Sequence, residues 1–150
     1  MNNRVKLYNA CCKRVMARMP DASVDLIVTD PPYKNIGGGS RDLLGGILKE
    51  NDADLFKDML EPAEFMGELF RVLKSGRSAY IFTNVLNMVS YITHAQRFGF
   101  KLSNILVWVK NTKTPNRWGM KDCEYILLFH KSPARVFNDC LLYTSPSPRD

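Results

Sequence analysis

Hydrophobic and polar positions along the chain alternate between two periods. Arg4-Val5-Lys6-Leu7-Tyr8 alternates polar and apolar and predicts a first strand, with a short helix around 11–18 after it. Leu26-Ile27-Val28-Thr29 is a short apolar, mostly β-branched run that reads as a buried strand, and it stops at Asp30-Pro31-Pro32. Two prolines can neither continue a strand ladder nor start a helix there. Helical spacing begins at Pro62, with Glu61, Glu64 and Glu68 near the positive end and an apolar face of Phe65, Met66, Leu69, Phe70 and Leu73; Ser75-Gly76 is its expected end. The aromatics of that face follow the helical period and so belong to a core. Ser78-Ala79-Tyr80-Ile81-Phe82-Thr83 predicts a strand, and Asn84 a cap for a helix over 85–98 with Val85, Met88, Val89, Ile92 and Ala95 inward, closed by Gly99. Ile105–Val109 and Glu124–His130 read as two further strands. His94, one residue off its stripe, reads as a solvated helix residue, and His130, at a strand end without clustered ligands, as structural.

Glycine and proline punctuate the rest. Five of the nine glycines fall within 37–46, so the segment after Tyr33 reads as a mobile loop, either closing on a ligand or simply an uncommitted surface loop. From Asn138 the pattern is lost, and Ser145-Pro146-Ser147-Pro148 cannot join a sheet. The expected division is therefore a folded unit over 1–137 and a disordered, non-native-looking tail over 138–150.

Composition narrows the class. A chain of 150 residues that is 45% hydrophobic and 24% charged is ordinary globular material, able to bury a core. Its apolar runs are far shorter than the ~18 residues of a membrane span, and no signal-peptide order opens it, so a cytoplasmic protein without membrane attachment is expected. Cys11, Cys12, Cys123 and Cys140 match no zinc spacing or disulfide framework, which predicts reduced thiols and no metal site. The net charge of +6 favours a polyanionic partner. Lys101, Lys110, Lys113, Arg117 and Lys121 occupy a stretch without acids, whereas 50–68 holds seven acids and one lysine. The basic stretch is the better candidate for phosphate contact.

The strand ending in Asp30-Pro31-Pro32-Tyr33 lies where α/β sheets place their ligands, beyond the carboxyl ends of the strands. Two plain alternatives stand beside a catalytic one. The tetrapeptide could be a proline-stiffened surface turn. A strand ending in an acid also occurs in P-loop ATPases, but no Gly-x-x-x-x-Gly-Lys-Ser/Thr exists in this chain.

Asp30-Pro31-Pro32-Tyr33, with its lead-in Met19-Pro20-Asp21-Ala22-Ser23-Val24-Asp25-Leu26-Ile27, resembles the catalytic motif of the S-adenosylmethionine-dependent DNA amino-methyltransferases, which act on adenine N6 or cytosine N4. The likeness extends to about residue 131 through the later helix, strand, helix order, the Trp108-x-Lys110 exit and the Glu124-Tyr125 entry. It implies an α/β methyltransferase fold of Rossmann-like type, mostly parallel with an antiparallel last hairpin, and incomplete. It implies S-adenosyl-L-methionine as cofactor and flipped bases of double-stranded DNA as substrate. Asp30 and the Pro31 carbonyl are then expected to accept from the amino group, Pro32 to hold the turn, Tyr33 to stack on the base, and Asp30 also to stand beside the cofactor. Lys34, Lys110, Lys113, Arg117, Trp118 and Lys121 become candidates for DNA contact; the alternative for the loop 111–121 is a basic hairpin with a half-buried Trp. Asp at the first motif position leans toward adenine.

The chain departs from the family pattern at Asn9-Ala10-Cys11, where Gly-Asp-Cys is usual, and has no Phe-x-Gly-x-Gly cofactor loop. The expectation is the amino-terminal catalytic half of a permuted methyltransferase, with an uncovered sheet edge and exposed apolar surface. A non-catalytic nucleic-acid-binding module, or an amino-methyltransferase acting on RNA or protein, is the alternative.

Overall fold

A computed structural model of the chain describes residues 5–32, 61–114 and 121–133. Within them the order is α1 (Cys12–Met16), β1 (Val24–Thr29), α2 (Pro62–Val72), β2 (Leu73–Thr83), α3 (Val85–Arg97), β3 (Phe100–Thr114) and β4 (Lys121–Lys131). The strands form one sheet in the order β1-β2-β4-β3. β1 is parallel to β2, while β4 is antiparallel to both β2 and β3. Three strands therefore share a direction, and the last strand inserts between the second and third against them. The described sheet is mixed: β1 and β2 make its one parallel pair, and the last hairpin is antiparallel as expected.

Both long helices lie on one face of the sheet. Phe65, Met66, Leu69 and Val72 of α2 and Tyr91 and Ala95 of α3 pack on Ile27, Ala79, Ile81, Leu127 and Phe129. On strands, alternate side chains leave on opposite faces, so this core takes only one set. The other set includes Leu26, Val28 and Trp108, which are 54%, 61% and 50% exposed. Among the described residues nothing covers that face, and β1 pairs on one side only. Within the described residues β1 is thus an open edge and this face is apolar and exposed.

Helix ends follow local chemistry. The Glu61 N–H donates to the Glu64 carboxylate at 3.2 Å, and Pro62 needs no N–H in the first turn. At the other end of α2 the Lys131 ammonium donates to the carbonyls of Phe70 and Leu73 at 2.8 and 2.9 Å, satisfying groups that a helix terminus leaves orphaned. Arg71 ties the 16–21 turn to α2: it donates to the carbonyls of Met16 and Met19 at 2.7 and 2.8 Å and pairs with Glu68 at 2.7 Å. The Asn84 side chain caps α3, and Gly99 closes it at a φ of +102°.

Three expectations fail. Residues 5–9 form no strand, and Val5 and Leu7 are 82% and 92% exposed. Alternation gives strand geometry only where a neighbour supplies ladder partners, and among the described residues none stands beside them. Helix α2 ends at Val72, so Leu73 opens β2 and Ser75-Gly76 lies inside that strand. Pairing of Val24 with Leu73 takes this stretch for the sheet. In α3, Val85 and Val89 are exposed, and the buried stripe runs through Tyr91 and Ala95 with Met88 and Ile92 packed against the core. A short helix with apolar residues on two flanks shows whichever flank the sheet selects.

The glycine-rich segment after Tyr33, the loop at 115–120 and the tail over 138–150 lie outside the described residues. No described helix is long and apolar enough to cross a membrane.

Candidate active site at the carboxyl edge of the sheet

β1 brings its acid to the sheet edge by the simplest means. Its ladder runs to Thr29, which pairs with Ile81, and Pro31 and Pro32 then end the strand because they lack N–H donors. Register places the rest. Thr83 at the end of β2 pairs with Tyr125 near the start of β4, and Glu124 pairs with Trp108 on β3. One edge therefore collects Asp30, Phe82, Trp108, Lys110 and Glu124. Two strand spacings, roughly 10 Å, separate β1 from β4.

The alternation of side chains puts Trp108, Lys110 and Glu124 on the face opposite the helices, and Asp30 continues the parity of Leu26 and Val28. Lys110 and Glu124 form a close ion pair, their side chains 33% and 19% exposed. The Lys110 ammonium also lies over the Trp108 ring, 5.4 Å from its centroid. Trp108 in turn meets Phe82 edge to face at 6.2 Å. Beneath this layer Thr83 and Asn84 are fully buried. The Asn84 amide oxygen accepts from the N–H groups of Leu86 and Asn87 at 3.1 and 3.0 Å, fixing where α3 begins.

Asp30 itself stays exposed, with only part of its surface shielded. That partial burial pushes its carboxyl above the ordinary aspartate value, the negative charge of Glu124 pushes the same way, and Lys110 opposes both. Among the described residues no ion pair or hydrogen bond engages the carboxylate. A carboxylate acceptor and the Pro31 carbonyl thus follow one another at a proline-stiffened corner, an arrangement suited to accepting two N–H bonds.

Of the residues singled out from sequence, Asp30, Pro31 and Pro32 occupy this corner, with Pro31 half-buried and Pro32 exposed. Lys110 joins them, but its ammonium is engaged by Glu124 rather than standing free for phosphate. Lys113 and Lys121 flank the far end of the β3–β4 hairpin, where Thr114 pairs with Lys121. Tyr33, Lys34, Arg117 and Trp118 lie outside the described residues. Glu124 was not among the candidate site residues. Its signal was the Trp-x-Lys and Glu-Tyr pair, which becomes a contact once the hairpin register is known. His94 is held by its own helix, its Nδ1 donating to the Ser90 carbonyl at 2.8 Å, and His130 Nδ1 meets the Ser103 hydroxyl at 2.5 Å. No group of three metal-ligating side chains occurs among the described residues.

Comparison with known proteins decides the family. A model of the N6/N4 DNA methylase family matches residues 24–149. The chain belongs to the N6/N4 DNA methylases. Among members of this family, the type II methyltransferase M2.DpnII of Streptococcus pneumoniae is 28% identical over 143 residues, covering 89% of this chain and 53% of that protein. The DNA adenine methyltransferase YhdJ of Escherichia coli is 38% identical over 93 residues, 62% of this chain and 29% of that protein. The TTHA0409 protein of Thermus thermophilus, solved with S-adenosyl-L-methionine, superposes with a TM-score of 0.56 at 26% identity, over 91% of this chain and 54% of that one. The chain spans about half the length, or less, of the curated methylases it matches. The DNA methylase fold, with its mixed sheet, is thereby the fold of this chain.

Proposed function

We propose that this chain carries the amino-holding side of a DNA methyltransferase that moves a methyl group from S-adenosyl-L-methionine to an exocyclic base nitrogen. One observation carries the reading: an Asp30 carboxylate, engaged by no ion pair or hydrogen bond among the described residues, followed by Pro31 at the carboxyl edge of β1. An exocyclic amino nitrogen is a poor nucleophile because its lone pair is delocalised into the ring. Asp30 and the Pro31 carbonyl would accept its two N–H bonds and turn the lone pair out of the ring plane, a fixed electrostatic arrangement that needs no covalent intermediate. Pro32 would keep the carbonyl aimed.

The residues present fit the cofactor at one end only. A sulfonium cation suits an edge carrying Asp30, but the sequence has no Phe-x-Gly-x-Gly stretch of the kind that cradles the rest of the cofactor. When bound, the cofactor supplies the electrophilic methyl group; what these residues do is hold and orient the nitrogen that receives it. The substrate is proposed to be double-stranded DNA with the target base flipped out, since the amino group is inaccessible inside a duplex. Tyr33 would stack on that base, Lys34, Lys113, Arg117 and Lys121 would meet phosphates, and Trp118 would contact a base. Adenine is the proposed target, from Asp at the first motif position, and the cytoplasm the proposed location.

The test is transfer of labelled methyl from S-adenosyl-L-methionine to duplex DNA by the full-length protein and its Asp30→Ala variant. Loss of transfer with an unchanged circular dichroism spectrum is expected. Full activity of the variant would sink the assignment, and DNA binding without any transfer by the parent would make the protein a binding module.

A further inference from the structure

β3 has an outer margin that the sheet does not use. In the order β1-β2-β4-β3 it pairs only with β4, so among the described residues one side of its backbone N–H and C=O groups has no ladder partner. Proteins ordinarily guard such an edge with lysine, proline, a bulge or a short strand. Here the register shifts lie between Leu102 and Asn104 and between Val109 and Thr114, which leaves the stretch between them regular, and its apolar run Ile105-Leu106-Val107-Trp108-Val109 holds no charge and no proline. All five residues are exposed, from 37% at Ile105 to 67% at Val109. α3 extends the same margin. It packs on β3 and β4, and its Tyr91 meets the Phe65 ring of α2, so the opposite flank, with the exposed Val85 and Val89, lies toward β3.

We propose that this margin binds a second copy of the chain, with β3 antiparallel to β3 about a two-fold axis perpendicular to the sheet at Val107. The occupant follows from the pattern itself. About that axis Val107 faces Val107, Leu106 faces Trp108 and Ile105 faces Val109, so each facing pair is apolar and stays on one face of the joined sheet. Lys110 falls opposite Asn104, and no like charges meet within the regular stretch. The five β3 residues with Val85 and Val89 expose roughly 600 Å² per copy, which with the strand backbone approaches the ~800 Å² per partner of a stable interface. An isologous contact closes on itself, so it gives a dimer with one continuous sheet rather than a fibre. The two-fold axis reverses strand direction, and the two Asp30 corners point to opposite ends of the dimer. The association does not depend on methyl transfer.

The experiment is sedimentation equilibrium of the full-length protein at concentrations up to roughly 100 μM, which covers the weak end of interfaces of this size. A dimer is expected, tighter at high salt because copies that each carry a net charge of +6 repel. Val107→Lys sets two ammonium groups against each other at the axis and should weaken association at least about 100-fold. Val107→Thr keeps the β-branched shape and should still dimerise. Residues facing each other across antiparallel strands have Cα atoms roughly 4.5–5.5 Å apart, within disulfide reach. Val107→Cys, combined with Cys123→Ser to remove the thiol on the neighbouring strand, should therefore form a 107–107 disulfide under mild oxidation, identified by mass spectrometry of the digest. A parent that stays monomeric overturns the proposal. So does a dimer in which Val107→Cys forms no 107–107 bond, or one that a folded Val107→Lys leaves as tight as before. Where Val107→Lys does not fold, the cross-link and Val107→Thr decide. A monomer whose β3 amides resist hydrogen exchange has this edge covered by its own chain, which overturns the proposal as well.

Discussion

Replacing Asn84 by Ala tests how the candidate site is anchored to the fold. Asn84 is 1% exposed, and its amide oxygen accepts from the N–H of Leu86, the N–H of Asn87 and the Asn87 side-chain amide, the last at 2.7 Å. Losing an N-cap costs about 1 kcal/mol. Orphaning a buried donor costs a further 1–3 kcal/mol or so, and Asn87 is half-buried while Leu86 is exposed enough for water to replace its partner. The Asn87 N–H also donates to the Asn84 backbone carbonyl at 3.2 Å, which alanine keeps, so neither backbone donor is orphaned in full and the loss should be about 1–2 kcal/mol. With a urea m-value on the order of 2 kcal/mol/M, the unfolding midpoint of the 150-residue chain should fall by roughly 0.5–1 M. Asn84→Asp keeps the accepting oxygen and adds a charge favourable at a helix N-terminus, so it should unfold near the parent. A midpoint for Asn84→Ala within ~0.5 kcal/mol of the parent would refute the assignment of α3's start to this side chain.

Further outcomes follow from the same geometry. Gly99→Ala should destabilise by at least ~1–2 kcal/mol, since φ there is +102° and a Cβ would meet the Phe70 ring at 3.0 Å; equal thermal midpoints would count against that backbone geometry. Phe129→Ala should cost about 3–5 kcal/mol in urea titrations, because the ring is fully buried against Phe100 at 5.8 Å. Lys74 holds Asp25, Lys13 holds Glu64 and Arg71 holds Glu68 below their ordinary carboxyl values. Folded-state values lying below the unfolded ones stabilise at neutral pH, and that contribution is lost as pH falls through them; urea midpoints should therefore drop from about pH 5 downward, and less steeply in high salt.

Much of this site was readable from residues alone. A β-branched run ending in Asp30-Pro31-Pro32 specifies a strand, its end and an acid at that end, because proline's missing N–H acts locally. Asn84 and Gly99 mark the ends of α3 for equally local reasons, a side-chain acceptor and a left-handed backbone. Glu124 was legible only as half of a pattern, since its partner Lys110 is fourteen positions away and the two meet through hairpin register.

What tertiary structure decided is which surfaces are inside. Ile105–Val109 and Tyr125–Phe129 are equally apolar runs, yet β4 takes the centre of the sheet and buries Leu127 and Phe129, while β3 takes the edge and leaves Val107 and Val109 exposed. The periodicity of α3 admitted Val85 and Val89 as core, and the sheet chose Tyr91 and Ala95. Residues 4–8 alternate like a strand, yet the described part, 5–8, finds no strand partner among the described residues. Turns, caps and strand ends are set by bonds between residues close in sequence, so the sequence by itself determined them. Burial and strand pairing are set by partners far along the chain, and only the assembled sheet could assign them.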